Sequence, residues 1–71
     1  MATTMFFEKK IRDKEEKNAT IDVEFGRSSF YGGESLMYFA IDGKSVIVNE
    51  KTGREIYDAM QSLGAYLGYD R

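Results

Sequence analysis

The chain has 71 residues, a net charge of −2, and neither cysteine nor histidine. This length predicts one domain, close to the lower limit at which a core holds a fold without cross-links. The missing residue types exclude disulfides and thiolate zinc sites, and they remove the commonest general base and metal ligand. The acidic balance gives no basic field for nucleic acid or an anionic membrane. The N-terminus has no signal-peptide pattern and no apolar run reaches membrane-spanning length, so we expect a cytoplasmic protein.

The first part of the chain predicts a strand followed by a charged connection. In the segment "MFFEKKIRD", Met5, Phe7 and Ile11 fall on one face of a possible strand, although a lysine interrupts the pattern. The segment Asp13 to Ala19 has no apolar anchor, which favours a solvated loop over a short helical turn.

Two further segments predict strands that pair. "TIDVEFG" alternates apolar and polar residues, the pattern of a strand with one buried face. "SLMYFAIDGKSVIVN" contains Asp42-Gly43, a pair favoured in two-residue type I′ hairpin turns. This turn predicts the facing pairs Met37 with Val48, Phe39 with Val46, and Ile41 with Lys44. The opposite face is half apolar and carries Leu36, Tyr38, Ala40, Ser45, Ile47 and Asn49.

The last third of the chain predicts one helix, from about Gly53 to Leu67. Thr52 and Glu55 match the T-x-x-E capping box at its start, and Gly68 favours its end. An apolar stripe follows the helical period at Ile56, Met60, Leu63 and Leu67. The predicted fold class is α+β: a small antiparallel β-sheet of three or four strands, with one C-terminal α-helix packed on one face. The stripe is expected to meet Val23, Phe25, Met37, Phe39, Val46 and Val48.

The segment "FGRSSFYGGES", residues 25–35, is longer than a hairpin connection requires, which is typical of binding loops. Arg27, Phe30 and Tyr31 are residue types favoured at binding hot spots, and we predict that they contact a partner. Three glycines are expected to give the loop backbone its freedom: Gly26, Gly32 and Gly33. The adjacent pair is expected to allow positive φ angles. The structural alternative is that Phe30 packs back onto the sheet.

Two motifs that suggest catalysis are better explained as structure. Gly43-Lys44-Ser45 resembles the end of a P-loop, but Tyr38 replaces the required first glycine and a strand follows instead of a helix. Ser28 and Ser29 have no histidine to activate them. Three carboxylates, at Asp22, Glu24 and Glu34, match no calcium-loop spacing. We therefore predict a protein that is not an enzyme and that carries no metal or cofactor.

The outer sheet face suggests two classes of partner. Tyr38 and Ile47 on this face, together with the loop, favour binding of a partner protein. In size and composition the chain is similar to small phage-encoded inhibitors of host systems, and it matches no family motif. The alternative is a nucleic-acid- or nucleotide-binding domain using Arg27, Tyr31 and exposed sheet aromatics. It is disfavoured because the adjacent strand offers carboxylates where phosphates need cations. A third possibility from the sequence is that the protein binds a small ligand between subunits through Arg27 and Tyr31.

A small domain with a marginal core commonly gains stability by self-association, so we expect a homodimer. One candidate surface is the outer sheet face. The other is the helix side that carries Gly64 and Gly68, four residues apart, together with Tyr57. Glycine inside a helix is unfavourable by about 1 kcal/mol relative to alanine, which suggests a close approach at position 64.

Overall fold

The computed structural model describes residues 3–69. Four strands form one antiparallel sheet in the order β1-β2-β3-β4, and a single helix follows. The elements are β1 Thr3–Arg12, β2 Thr20–Ser28, β3 Leu36–Ile41, β4 Lys44–Ile47 and α1 Glu50–Leu67. This confirms the predicted α+β class with four strands. Within residues 3–69, no helix is long and apolar enough to cross a membrane.

The β3–β4 hairpin has the predicted turn and register. Asp42 and Gly43 have φ angles of 49° and 85°, which is the left-handed pair that a type I′ turn requires. Phe39 faces Val46, and the same register pairs Ile41 with Lys44. Since side chains alternate between the two faces of a sheet, this register decides which residues share a face.

One sheet face carries a row of three aromatic rings, and we call it the helix-side face because α1 begins against it. Phe7 stacks on Phe25 with 5.1 Å between the ring centroids, and Phe25 lies 5.8 Å from Phe39. The register continues this row to Val46 on β4. The opposite surface, with Glu8, Glu24, Tyr38 and Ile47 among its residues, is the outer face.

Strand β1 contains a bulge that the sequence pattern did not reveal. Met5 pairs with Gly26 and Phe7 pairs with Phe25, so Phe6 is an extra residue between them. The prediction that Met5 shares a face with Phe7 is therefore wrong, because the bulge turns Met5 to the outer face. A Cβ at Gly26 would overlap the Thr4 carbonyl oxygen, so glycine is what lets β1 approach this closely.

The connection between β1 and β2, residues 13–19, is a loop organised by Asp13. Its carboxylate accepts hydrogen bonds from the backbone N–H groups of Glu15 and Glu16, at 3.0 and 2.9 Å. These bonds stabilise the charged form and hold the pKa of Asp13 below its usual value. The loop is thus ordered by local backbone contacts rather than by a buried anchor.

The helix starts three residues earlier than predicted. Asn49 is the N-cap, and its side chain accepts a hydrogen bond from the Thr52 N–H at 2.8 Å. The predicted capping box at Thr52 is therefore wrong, because Thr52 already lies inside the first turn. Gly68 ends the helix as predicted, in the left-handed conformation. The N–H groups of Gly68 and Tyr69 donate to the last helical carbonyls in a Schellman arrangement.

The helix packs on the sheet only near its N-terminus. Gly53 is buried, and a Cβ there would lie 3.7 Å from Val48 Cγ2 and 3.9 Å from Met37 Cβ. Ile56, one turn further along, is half-buried. Met60, Leu63 and Leu67, the rest of the expected stripe, are 47–56% exposed, so the sheet does not cover the far half of the helix. Among residues 3–69 no side chain is fully buried, and Tyr38 is the one buried hydrophobic residue.

Candidate functional site

The predicted recognition loop is shorter in the structure than in the sequence pattern. Strand β2 runs to Ser28, which pairs with Leu36, so the loop itself comprises residues 29–35. Its tip is a tight turn in which the Glu34 N–H donates to the Tyr31 carbonyl at 3.0 Å. Gly32 and Gly33 occupy the turn with φ angles of 58° and 78°, a conformation that glycine adopts without strain.

Two aromatic residues stand at this turn as a contacting pair. The rings of Phe30 and Tyr31 meet edge to face, with 4.9 Å between their centroids and 71° between their planes. The Phe30 N–H donates to the buried Ser28 hydroxyl at 3.3 Å, which ties the loop to the end of β2. Phe30 and Tyr31 nevertheless remain 53% and 57% exposed. The loop therefore presents a contacting pair of aromatic rings at the protein surface.

Phe30 also borders the outer face of the sheet. It lines a shallow, open depression whose other walls include Tyr38, Ile47 and Ser28. This agrees in part with the structural alternative, because Phe30 lines the depression together with residues of the sheet. The structure thus brings together Phe30, Tyr31 and Ile47 at one end of the outer face.

Tyr38 is placed differently from the sequence prediction of an exposed aromatic. It is only 7% exposed, and its hydroxyl donates to the Glu24 carboxylate at 2.5 Å. This hydrogen bond, with burial and the negative charges of Glu24 and Glu8, raises the pKa of Tyr38 to about 12. The ring is packed and its hydroxyl is engaged, so Tyr38 supports the sheet and offers no face for stacking.

Arg27 and Gly26 are strand residues and not loop residues. Arg27 pairs with Thr4 and Met37 on the helix-side face, and its guanidinium donates to the Thr4 hydroxyl oxygen at 3.0 Å. It therefore lies on the opposite side of the sheet from Phe30. The sequence pattern placed these residues in one loop because Gly-Arg-Ser is atypical of strands, and pairing with both neighbours overrides that preference.

The residues predicted as dimer contacts lie along α1, with Tyr57 and Gly64 inside the helix and Gly68 at its C-terminal cap. A Cβ at Gly64 would meet only the Tyr69 Cβ, at 4.0 Å, so no close approach within the chain explains this glycine. Gly68 is explained by the left-handed helix end. Tyr57 is exposed and lies near the helix start, beside Leu36 and Met37.

The carboxylates are arranged for local pairing. Lys10 Nζ lies 3.0 Å from the Asp22 carboxylate, and Glu24 accepts the Tyr38 hydroxyl. Residues 3–69 contain no cluster of three side chains that could hold a metal ion. Lys44, in the P-loop-like triplet, opens strand β4 directly after the hairpin turn, so the triplet has no helix to cradle a phosphate.

One further feature of the surface is an uncharged stretch that was not predicted. Residues 59–69, which are the far half of the helix and the two residues after it, contain no charged residue, whereas residues 50–58 contain five. Phe6, displaced by the bulge, is also strongly exposed. The uncharged run is visible in the sequence, but sequence alone does not show that the sheet ends before it.

No protein-family model, curated protein or solved structure matches the chain. Its function is therefore inferred from its own surfaces.

Proposed function

We propose that the chain is a non-enzymatic protein-interaction module that binds a partner protein through the loop of residues 29–35. The observation that carries this proposal is the Phe30–Tyr31 ring pair, in mutual contact at a tight turn and more than half exposed. Large aromatic side chains dominate binding energy at protein interfaces, and they are ordered at low entropic cost because they have two χ angles.

The loop is organised before it meets a partner. The turn closed by Tyr31 and Glu34 and the bond from Phe30 to Ser28 both hold the backbone. A loop that is already ordered loses less conformational freedom on binding, which favours affinity. This organisation supports recognition by a preformed surface and not by a segment that folds on contact.

The outer face beside the loop supplies the flanking surface. Ile47 is half-buried there, and the register places Glu8 directly beside Glu24 further along the sheet. An aromatic tip next to an acidic surface suits a partner with an apolar pocket bordered by basic residues, because complementary charge guides association. A module of this kind acts by occupying a partner's surface, as an inhibitor or an adaptor.

The outer face does not favour the alternative function, binding of nucleic acid or nucleotides. Tyr38 is buried, Arg27 lies on the other face, and the carboxylates of Glu8 and Glu24 repel phosphates. Stacking of bases requires open aromatic faces with cations nearby for the backbone. No specific observation favours this second candidate.

The test compares the wild-type chain with Tyr31→Ala as immobilised bait in an extract of its native cell. We expect the wild type to retain one protein that Tyr31→Ala loses, because the exposed ring is removed. With that protein purified, calorimetry should give a dissociation constant raised roughly 5- to 30-fold, corresponding to about 1–2 kcal/mol.

Tyr66→Ala is the matched control, since Tyr66 is 88% exposed on the helix and distant from the loop along the chain. It should bind like the wild type. The melting temperature of Tyr31→Ala should stay near that of the wild type, because the exposed ring adds little to folding. Equal binding by the wild type and Tyr31→Ala, or a loss shared with Tyr66→Ala, contradicts the proposal.

A further inference from the structure

The single chain exposes more surface than a compact protein of its mass. Its accessible surface is 6,079 Å², whereas a folded monomer of 8.1 kDa exposes about 4,500 Å². Its radius of gyration is 14.0 Å, against about 11 Å expected for 71 residues. The excess of about 1,600 Å² per chain equals about 3,200 Å² for two chains, within the range of obligate homodimers.

The first uncovered surface is the far half of the helix. Gly53 is buried on the sheet-facing side, and the helical period places Met60, Leu63 and Leu67 on that same side. These three residues are 56%, 53% and 47% exposed, because the sheet no longer lies beneath them. The absence of charge from residues 59–69 is typical of the centre of an interface and not of a solvated helix.

The second uncovered surface is the part of the helix-side face that the helix does not reach. Val46 is more than half exposed there, and Ile21, Ile41 and Ile11 are each exposed as well. Four strands about 4.8 Å apart make this surface about 14 Å wide. A helix about 10 Å in diameter fits across it.

We propose that the partner of these two surfaces is a second copy of this chain, in a two-fold dimer. The far half of each helix packs its Met60–Leu67 stripe on the open helix-side face of the other copy. One continuous helix runs from Glu50 to Leu67, so its far half cannot turn back onto its own sheet. A two-fold axis makes the helix-on-sheet contact reciprocal, because each copy contributes one helix and one sheet face. The two surfaces of each copy, four in the dimer, are then covered by the same kind of contact.

This arrangement differs from the dimers expected from the sequence, which used the outer face or the Gly64–Gly68 side alone. It leaves the outer face and the 29–35 loop free. It is therefore independent of the proposed partner binding, and either can fail without the other.

The experiment uses sedimentation velocity on the full chain over a range of concentrations, with two charged variants. The wild type should sediment at twice the chain mass of 8.1 kDa. Leu63→Lys on the stripe and Val46→Glu on the sheet should each raise the dissociation constant roughly 100-fold or more, because an unpaired charge is buried. Both residues are half exposed in the single chain, so the substitutions leave its own contacts largely intact.

An equimolar mixture of Leu63→Lys and Val46→Glu tests the reciprocal geometry. A mixed dimer contains one unchanged helix-on-sheet contact and one contact in which lysine meets a glutamate-bearing sheet. Mixing should therefore restore dimers that neither variant forms alone. If a variant unfolds by itself, recovery of its circular dichroism signal on mixing supports the proposal equally.

The controls are Ala65→Lys, an exposed helix residue on the side opposite the stripe, and Ser45→Glu, the neighbour of Val46 that faces outward. Both should dimerise like the wild type. A wild-type monomer at high micromolar concentration overturns the proposal. So does loss of dimers in only one of the two interface variants, which indicates helix–helix or strand-edge pairing. Failure of the mixture to recover overturns it as well.

Discussion

Replacement of Gly26 by alanine tests the account of the β1 bulge. Gly26 has a φ angle outside the left-handed region, so alanine is tolerated by the backbone itself. The obstacle is β1: the added Cβ would overlap the Thr4 carbonyl oxygen and lie 3.0 Å from both Met5 Cα and Phe6 N. All three atoms belong to the backbone, so the strand must shift to admit the methyl group.

The expected loss is estimated from two opposing effects. Forcing an extra methyl group into packed structure costs about 1–3 kcal/mol. Alanine also restricts the unfolded chain, which returns about 0.4–1 kcal/mol. The net loss of about 1–2 kcal/mol is a large share of the roughly 4–11 kcal/mol typical of a 71-residue protein. It should lower the melting temperature by about 5–15 °C.

Gly53→Ala is the matched control, since it is the same substitution at another buried glycine. The new Cβ would make ordinary contacts with Val48 and Met37, at 3.7 and 3.9 Å. Alanine is favoured over glycine inside a helix by about 1 kcal/mol, so the melting temperature should rise. Scanning calorimetry at one fixed protein concentration measures both variants, since the melting temperature of an oligomer depends on concentration.

Hydrogen exchange shows where the damage in Gly26→Ala lies. The amides of β1 should exchange faster while those of the β3–β4 hairpin keep their protection. An unchanged melting temperature in Gly26→Ala, or a larger loss in Gly53→Ala, would refute the reasoning from backbone overlap.

Two further predictions concern the helix cap and the buried tyrosine. Asn49→Ala should lower stability by about 1 kcal/mol in thermal unfolding, because the Thr52 N–H loses its acceptor. Asn49→Asp should retain the cap, and an equal loss in Thr52→Ala would contradict this assignment. Tyr38 should titrate near pH 12 by tyrosinate absorbance, and Glu24→Gln should return it toward its ordinary value. Because the folded pKa lies above the unfolded pKa of about 10, this contribution to stability is present below pH 10 and is lost as pH rises through 12. Titration of Tyr38 near pH 10 in the wild type would show that the hydrogen bond to Glu24 is absent in solution.

Most of the fold could be predicted from local patterns in the sequence. The alternation in "TIDVEFG" predicts strand β2 correctly, and the Asp42-Gly43 turn predicts the register of β3 with β4 correctly. Both patterns depend only on residues that are close in the sequence. The helix end at Gly68 was also predictable from one residue type. The helix start was not, because Asn49 and Thr52 are both good N-caps and the pattern could not choose between them.

The placement of the candidate site required contacts between distant segments. The bulge at Phe6 depends on Gly26 in the next strand, and periodicity within β1 cannot reveal it. The hydroxyl of the buried Tyr38 donates to Glu24, and this partner lies on the adjacent strand. The strand position of Arg27 is also not predictable from its neighbours in the sequence, since it pairs with Thr4 and Met37 on two different strands.

The two proposed surfaces lie on opposite sides of one sheet, and this separation has a functional consequence. The helix-side face would be covered in the dimer, while each copy would still present its Phe30–Tyr31 pair beside the outer face. A two-fold dimer therefore carries two identical recognition loops. If the partner is an oligomer with two binding sites, two linked loops raise the overall affinity without any new contact. This requires that both loops bind the same partner oligomer at the same time. Self-association would then have two effects. It would bury the apolar surfaces that the single chain leaves exposed, and it would place two recognition loops on one particle.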